Sequence, residues 1–398
     1  MSALRRKIAQ EIRDRGPIPF SRYMELCLYD PEHGYYCRNA QQFGKAGDFY
    51  TSSDVHAVFG RLLARQFDEM WRALGSPEQI ELIELGPGRG LFAQDVLGWS
   101  QKKFPDFYRA LRYVLIETSP ALRERIKETL RHHIESGKAS CKSELADGKI
   151  GKGTTSVVPN QAPTDGALAP EIPTIVFANE FFDALPVETL SSRGSLRIGT
   201  RDDRFNETWA QPSPEEIEFL DRYSIHPELG ERIEAPLAAQ HSMEQIAAGI
   251  QCGFILAIDY GYTREEQLAG RHHGTLKALR QHSVSANPYE APGEQDITAD
   301  VNFTALAASA EKHGMQTQKL ITQSQFLLGI GEANQFADAF EECRLPQERA
   351  KVALQLKHLV TPAGMGESFH VLIASKGVAQ ERIESLSGLN FGRRTNLT

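Results

Sequence analysis

Apolar positions recur with two different periods along this chain, and the switch between them marks out the elements. Met1 to Arg15 is helical in pattern and is closed by Gly16-Pro17-Ile18-Pro19, since proline disfavours helix in the residue before it. Ser21 is a candidate cap for a short helix reaching about Leu28, and Tyr29 to Tyr36 then reads as a turn with aromatics. Asp54 is a candidate cap for a helix over Val55–Leu74, in which Val58, Leu62, Phe67, Met70 and Trp71 share one apolar face. Beyond residue 80, strand-type runs alternate with helical ones. Strands are predicted at Ile80–Leu85, Arg112–Glu117, Thr174–Ala178 and Phe254–Asp259, and late ones at Gln316–Ile321 and Phe369–Ala374. Helices are predicted from Leu91 to about Lys103 and from Pro120 to about His133. Such alternation implies an α/β fold with a parallel sheet covered on both faces.

The remaining segments carry weaker patterns. Lys138–Glu144 is a poor strand candidate ahead of a Gly-, Pro-, Thr- and Ala-rich stretch, 148–173, which reads as a long surface loop. Arg193–Ile250 reads as an insertion with short strands and a helix, Arg271–Val301 as a polar loop, and the stretch after Lys376 as a polar tail expected to fray. The chain therefore divides into an N-terminal helical extension (1–75), a first part of the core (76–190), an inserted subdomain (191–250), a second part of the core (251–376) and a tail (377–398).

Composition excludes more than it selects. The 398 residues carry a net charge of −8, with a pI near 5.9, which argues against counterion-driven binding to nucleic acid. No apolar run is long enough to span a bilayer. The N-terminus mixes Arg5, Arg6 and Lys7 with Glu11 and Asp14 and lacks the apolar stretch of a secretory signal, so a cytoplasmic location is expected. Cys27, Cys37, Cys141, Cys252 and Cys343 show no Cys-x-x-Cys spacing, which suits a reducing compartment and offers no zinc site. The doublets His132-His133 and His272-His273 do not form a metal-binding pattern and are expected on the surface. No metal is expected.

Three segments carry candidate chemistry. Glu84-Leu85-Gly86-Pro87-Gly88-Arg89-Gly90 ends the first core strand in a glycine turn, where backbone amides at a helix N-terminus favour polar or anionic ligand groups. A dinucleotide fingerprint would place its third glycine about five positions after the first, and Leu91 stands there. Glu117 closes the second strand, where nucleotide-binding α/β folds place an acid on the ribose hydroxyls. Asn179-Glu180-Phe181-Phe182-Asp183 follows the third clear strand, at the rim where ligands of open α/β sheets lie. Its two carboxylates could accept the fork of N–H donors on a guanidinium. Gly47, Asp48, Thr51 and Ser52 form a further polar loop that could close over the ligand or simply cap the next helix.

The glycine spacing resembles the first motif of the S-adenosylmethionine (SAM) methyltransferases, whose ligand carries an ammonium and a sulfonium. With Pro17-Ile18-Pro19-Phe20, Tyr29-x-Pro31-x-x-Gly34-Tyr35-Tyr36, Gly47-Asp48-Phe49-x-Thr51-Ser52, Asn179–Val187, Asp259-Tyr260-Gly261, Gly274-Thr275-Leu276, Gln295–Thr298 and Met365-Gly366, the chain resembles the MidA-type SAM-dependent methyltransferases almost end to end. The resemblance implies a class I SAM-methyltransferase (Rossmann-like) sheet with an N-terminal helical extension and an inserted subdomain. Its mitochondrial members are complex I assembly factors, which implies symmetric dimethylation of an arginine on a protein partner, such as a respiratory complex subunit. It also implies that Gly47, Asp48, Thr51, Ser52, Glu84, Gly86, Gly88, Gly90 and Glu117 hold SAM, and that Asn179, Glu180 and Asp183 orient the nucleophile. Two positions depart from the family pattern: Ser53-Asp54 replaces Pro-Glu, and Asp300 stands where His is expected. Two rival readings remain. One is amino methylation of a nucleobase or glutamine amide, which the absence of the prolines of an Asn-Pro-Pro-aromatic motif disfavours. The other is a SAM-binding assembly factor with incidental catalysis. Neither oligomeric state nor the methyl acceptor follows from these residues.

Overall fold

The computed structural model describes residues 2–37, 57–143, 172–202, 204–270, 274–280, 283–285 and 287–392. Helix α1 (Ala3–Arg15) is capped by the Ser2 hydroxyl, which accepts the Arg5 N–H at 3.2 Å, and it ends at Gly16 with φ +83°. In α2 (Phe20–Tyr29) Ser21 is not the cap. It lies in the first turn and donates to Glu188 at 2.5 Å, a partner 167 residues away that no local pattern reveals. Helix α3 (Ala57–Ala73) buries Val58, Leu62, Phe67, Met70 and Trp71, as its period predicts. The cap expected at Asp54 lies outside the described residues.

Strand β1 (Ile80–Leu85) turns through the glycines into α4 (Leu91–Lys103), at the predicted boundaries. Next come β2 (Leu111–Ile116) and α5 (Pro120–Thr129), with Ser119 capping the latter. The helix expected to reach His133 breaks at Leu130, and a short second helix, Arg131–Glu135, follows. There His133 is buried beside the Tyr108 hydroxyl rather than exposed. The weak strand candidate is real: β3 (Ala139–Lys142) pairs in parallel with β2 at the sheet edge. Strand β4 (Thr174–Asn179) enters the centre.

The inserted region consists of β5 (Glu188–Ser191), β6 (Gly194–Arg201), β7 (Arg204–Ala210), α6 (Pro214–Tyr223), β8 (Ile233–Ala235) and α7 (Leu237–Gly249). Ile18–Pro19 pairs with β6, so the N-terminal extension is stitched onto this sheet. Phe20 and Met24 of α2 share one core with Leu196 and Ile198 of β6.

Strand β9 (Gly253–Tyr262) returns the chain to the core. The segment expected as a polar loop then forms β10 (Lys277–Arg280), a short strand Ser283–Ser285 and β11 (Asp296–Thr298), paired antiparallel in a small sheet. These pieces are too short for alternation to show. After α8 (Phe303–Glu311), the strand expected over Gln316–Ile321 is split into Gln316–Thr317 and Ile321–Thr322, both paired with β12 (Phe369–Lys376).

The central order is β12-β9-β4-β1-β2-β3, parallel except for β12. The chain leaves β1 toward β2 and β3, then crosses back to β4, which makes the gap between β1 and β4 the switch point. Alternation in β1 divides two cores. Ile80 and Leu82 join Phe67, Phe92 and Phe177 on the α3 and α4 face, and Ile83 and Leu85 join Val176, Met243 and Ile246 on the other. The stretch after Lys376 does not fray where it is described. Ile383 and Leu386 are buried, and the Ser387 and Gly388 N–H groups donate to Glu69 and Gln66 of α3. No helix among the described residues is long and apolar enough to cross a membrane.

Candidate functional site

At the switch point the glycine turn takes the backbone that only glycine adopts freely. Gly86, Gly88 and Gly90 have φ of +63°, +53° and +75°. An added Cβ on Gly88 would meet nothing within 4 Å, which leaves an open cradle beside the turn. At Gly86 the same atom would lie 3.2 Å from the Phe181 ring. The loop after β4 therefore rests directly on the turn after β1, and two motifs far apart in sequence form one site.

Two buried carboxyl groups stand at the strand ends beside this turn. Glu84 accepts the Tyr113 hydroxyl at 2.8 Å, and burial raises it to about 8 despite that bond, with repulsion from Glu117 adding to the rise. Glu117 accepts the Ser119 N–H at 2.8 Å, and the Gly88 amide is also turned toward it. Burial still holds Glu117 up to about 7. A cationic ligand answers both, because it supplies the charge that burial denies them.

The loop after β4 is built around a residue whose role the sequence left unassigned. Asp259 of β9 is fully buried, and its Oδ2 accepts the N–H groups of Phe181, Phe182 and Asp183 at 3.2, 3.0 and 3.3 Å. Its Oδ1 accepts the Tyr260 N–H at 3.0 Å. One carboxylate thus organises three consecutive residues, and it is Asp259, not Asn179 or Asp183, that caps this turn. Glu180 sits at φ +50°, in the left-handed region that a side chain of its type seldom adopts. Its N–H donates to the Ile258 carbonyl at 2.9 Å, and its Oε1 accepts the Asn179 amide at 3.2 Å. Asp183 is buried, and the Tyr260 hydroxyl donates to its Oδ2 at 2.5 Å. Burial holds Asp183 at about 6.

Other walls come from the N-terminal aromatic turn and from the loops around Gln295 and Asp300, whose individual roles the sequence leaves open. The Tyr29 hydroxyl donates to the Ala184 carbonyl at 2.9 Å, and the Tyr36 hydroxyl to Asp296 at 2.8 Å. Both phenols are held well above their usual range by burial, with Asp296 and Asp183 adding. The aromatic turn after α2 thus lines the acids, and its sequence signals are its density of tyrosines and its place among the motifs that carry the family resemblance. Gln295 holds Ala291 N–H and the Asn287 carbonyl, bracing the approach to β11. Asp300 pairs with Lys277 at 2.7 Å, and Lys277 lies 4.9 Å above the Tyr260 ring. The structure thus brings together Glu84, Gly86, Gly88, Gly90, Glu117, Asn179, Glu180 and Asp183. Gly47, Asp48, Thr51 and Ser52, and with them His272 and His273, lie outside the described residues.

A family model described as "Putative S-adenosyl-L-methionine-dependent methyltransferase" matches residues 62–321. Among curated proteins, the mitochondrial protein arginine methyltransferase NDUFAF7 homolog of Drosophila melanogaster is 28% identical across 98% of this chain and 88% of its own. The Homo sapiens protein arginine methyltransferase NDUFAF7 is 27% identical across 92% of this chain and 81% of its own. Among solved structures, a Burkholderia thailandensis protein bound to S-adenosyl-homocysteine superposes with a TM-score of 0.76 at 26% identity, over 97% of this chain and 94% of that one.

Proposed function

The chain belongs to the family of S-adenosyl-L-methionine-dependent methyltransferases, and we propose that its methyl acceptor is an arginine side chain of a protein. The methyl donor is SAM. In this reading the turn Gly86–Gly90 and Glu84 hold its methionine part and Glu117 its ribose. The open side of Gly88 and the two buried carboxyls suit a ligand that is narrow there and cationic. The bound donor supplies an electrophilic methyl group on sulfur.

The observation that carries the acceptor is the pairing of Glu180 and Asp183 on a loop that leans on the glycine turn through Phe181. A guanidinium presents several N–H donors in one plane, and two carboxylates can accept them while one nitrogen is turned toward the methyl group. As the N–C bond forms, the methyl–sulfur bond breaks, its electron pair stays on the departing thioether sulfur, and the guanidinium loses one proton. Asp183, held at about 6, can receive it at Oδ1 and release it to solvent. The net charge of −8 opposes a nucleic-acid backbone, which disfavours a nucleobase acceptor. The curated relatives are named as protein arginine methyltransferases. Symmetric dimethylation on a respiratory complex subunit is the finer form of this proposal, and five free thiols fit a reducing compartment.

The test is to incubate the purified protein and labelled SAM with lysate from cells lacking its gene, then to identify the labelled atom. Label on arginine nitrogens of one or a few proteins is expected. Label on a nucleobase, a glutamine amide or a small molecule would overturn the assignment.

A pH dependence follows from the two buried carboxyls. Both are raised above their unfolded value, so the ligand-free protein is stabilised while they are protonated and loses that contribution as pH rises through about 7 and about 8. SAM prefers them ionised, so its affinity should rise from about pH 6 to about pH 8.5, by up to about tenfold per unit for each group still protonated. Calorimetry should show this rise, while the ligand-free melting temperature falls over the same interval. An affinity that stays flat would remove Glu84 and Glu117 from the donor site.

A further inference from the structure

We propose that Tyr260 is a positioning residue for methyl transfer, its hydroxyl clamping Asp183 so that one carboxylate oxygen is presented to the acceptor. This rests on the reading above, in which Asp183 receives the acceptor's N–H groups.

Asp259 and Tyr260 are neighbours at the rim end of β9, and successive strand residues point to opposite faces. Both nevertheless reach the same loop. Asp259 takes the backbone of Phe181–Asp183, and Tyr260 takes the Asp183 side chain through Oδ2 at 2.5 Å. Oδ1 of Asp183 is buried and has no well-aligned hydrogen-bond partner among the described residues, although the backbone N–H groups of Asp183 and Ala184 lie close enough to the carboxylate to favour its charge. With Oδ2 occupied, Oδ1 is the atom left for an incoming N–H, and the clamp stops the two oxygens from exchanging places.

The phenol is itself held. Its ring packs edge-on against Phe369 with centroids 5.7 Å apart. On the ring lies the Lys277 ammonium at 4.9 Å, pinned in turn by Asp300 at 2.7 Å. A cation over the ring draws electron density away from the hydroxyl and makes it a better donor. Around Asp183 stand Asp259 on β9, Glu180 on the same loop, Asp300 before α8, and Tyr29 and Tyr36 from the N-terminal extension. The acids oppose ionisation of Asp183. The Tyr260 hydroxyl favours it, because a donor to the charged form stabilises that form.

The experiment uses the full chain with Tyr260→Phe, Lys277→Met and Asp183→Asn. It follows methyl transfer from tritiated SAM into protein of the gene-deleted lysate as a function of pH, with SAM affinity and melting measured in parallel. Tyr260→Phe keeps the ring and its packing. It should leave SAM affinity unchanged, slow transfer about tenfold or more near neutrality, and move the acid limb of the profile up by about one pH unit. Lys277→Met retains the hydroxyl and should move the limb in the same direction by less, which covers the case in which Tyr260→Phe does not fold. If both variants keep the wild-type limb and rate while Asp183→Asn is inactive, the clamp is refuted and the role of Asp183 stands. If Asp183→Asn transfers at the wild-type rate, the role of Asp183 is refuted and the clamp with it.

Discussion

Glu180→Gln should slow methyl transfer by about 10²- to 10³-fold and leave SAM affinity within about twofold, because it removes one charge aimed at the acceptor and none aimed at the donor. The backbone at this position supports the assignment. A glutamate at φ +50° carries a conformational cost of about 1 kcal/mol or more, and glycine would bear it without strain. The bond from the Glu180 N–H to Ile258 and the Asp259 network just beyond it hold the residue in that conformation. Glu180→Gly should therefore keep or raise the melting temperature while abolishing transfer. Steady-state kinetics with SAM and lysate protein, alongside thermal melts, check both. Full transfer by Glu180→Gln would show that the strained residue serves the fold alone.

Asp259→Ala should have the largest effect on stability of any single change at the site. It leaves four N–H groups without their acceptor, those of Phe182 and Asp183 buried and those of Phe181 and Tyr260 half-buried. An unpaired buried donor costs about 1–3 kcal/mol, and with partial relaxation the four together should lower stability by about 3–6 kcal/mol. That is a large share of the roughly 5–15 kcal/mol that keeps a domain folded. Asp259→Asn retains one acceptor oxygen and should lose less. Urea titration would show the lowered midpoint, and labelled-methyl transfer should fall in parallel, since a loosened loop no longer holds Glu180 and Asp183. A wild-type midpoint for Asp259→Ala would mean that the four amides find other partners and that Asp259 is not the organiser of this loop.

How legible each part was depended on how local its cause is. Strand Ile80–Leu85 and helix Leu91–Lys103 follow from alternation, a glycine turn and a helical period, all within a few residues, and both were read at their observed ends. The residue types across Gln316–Ile321 predict one strand, yet only its two ends pair with β12. The pieces Lys277–Arg280 and Asp296–Thr298 were missed because three or four residues are too few to display a period. The last segment looked like a frayed tail because Ile383 and Leu386 are two apolar residues among polar ones, and their burial depends on α3, some three hundred residues earlier.

The same distinction runs through the site. Glu84, the three glycines, Glu117 and the Asn179–Asp183 loop could be singled out in the sequence, since a turn at the end of a buried strand is written in adjacent residues. Which side chains converge on that loop was decided by tertiary structure alone. Asp259 and Tyr260 lie about 77 residues beyond Asp183, Tyr29 lies 155 before Ala184, and Tyr36 meets Asp296 across 260. Local propensity sets the backbone of a segment. The distances between segments are set by sheet order and by the stitching of Ile18–Pro19 onto β6, and those distances determine which oxygen each N–H and hydroxyl can reach.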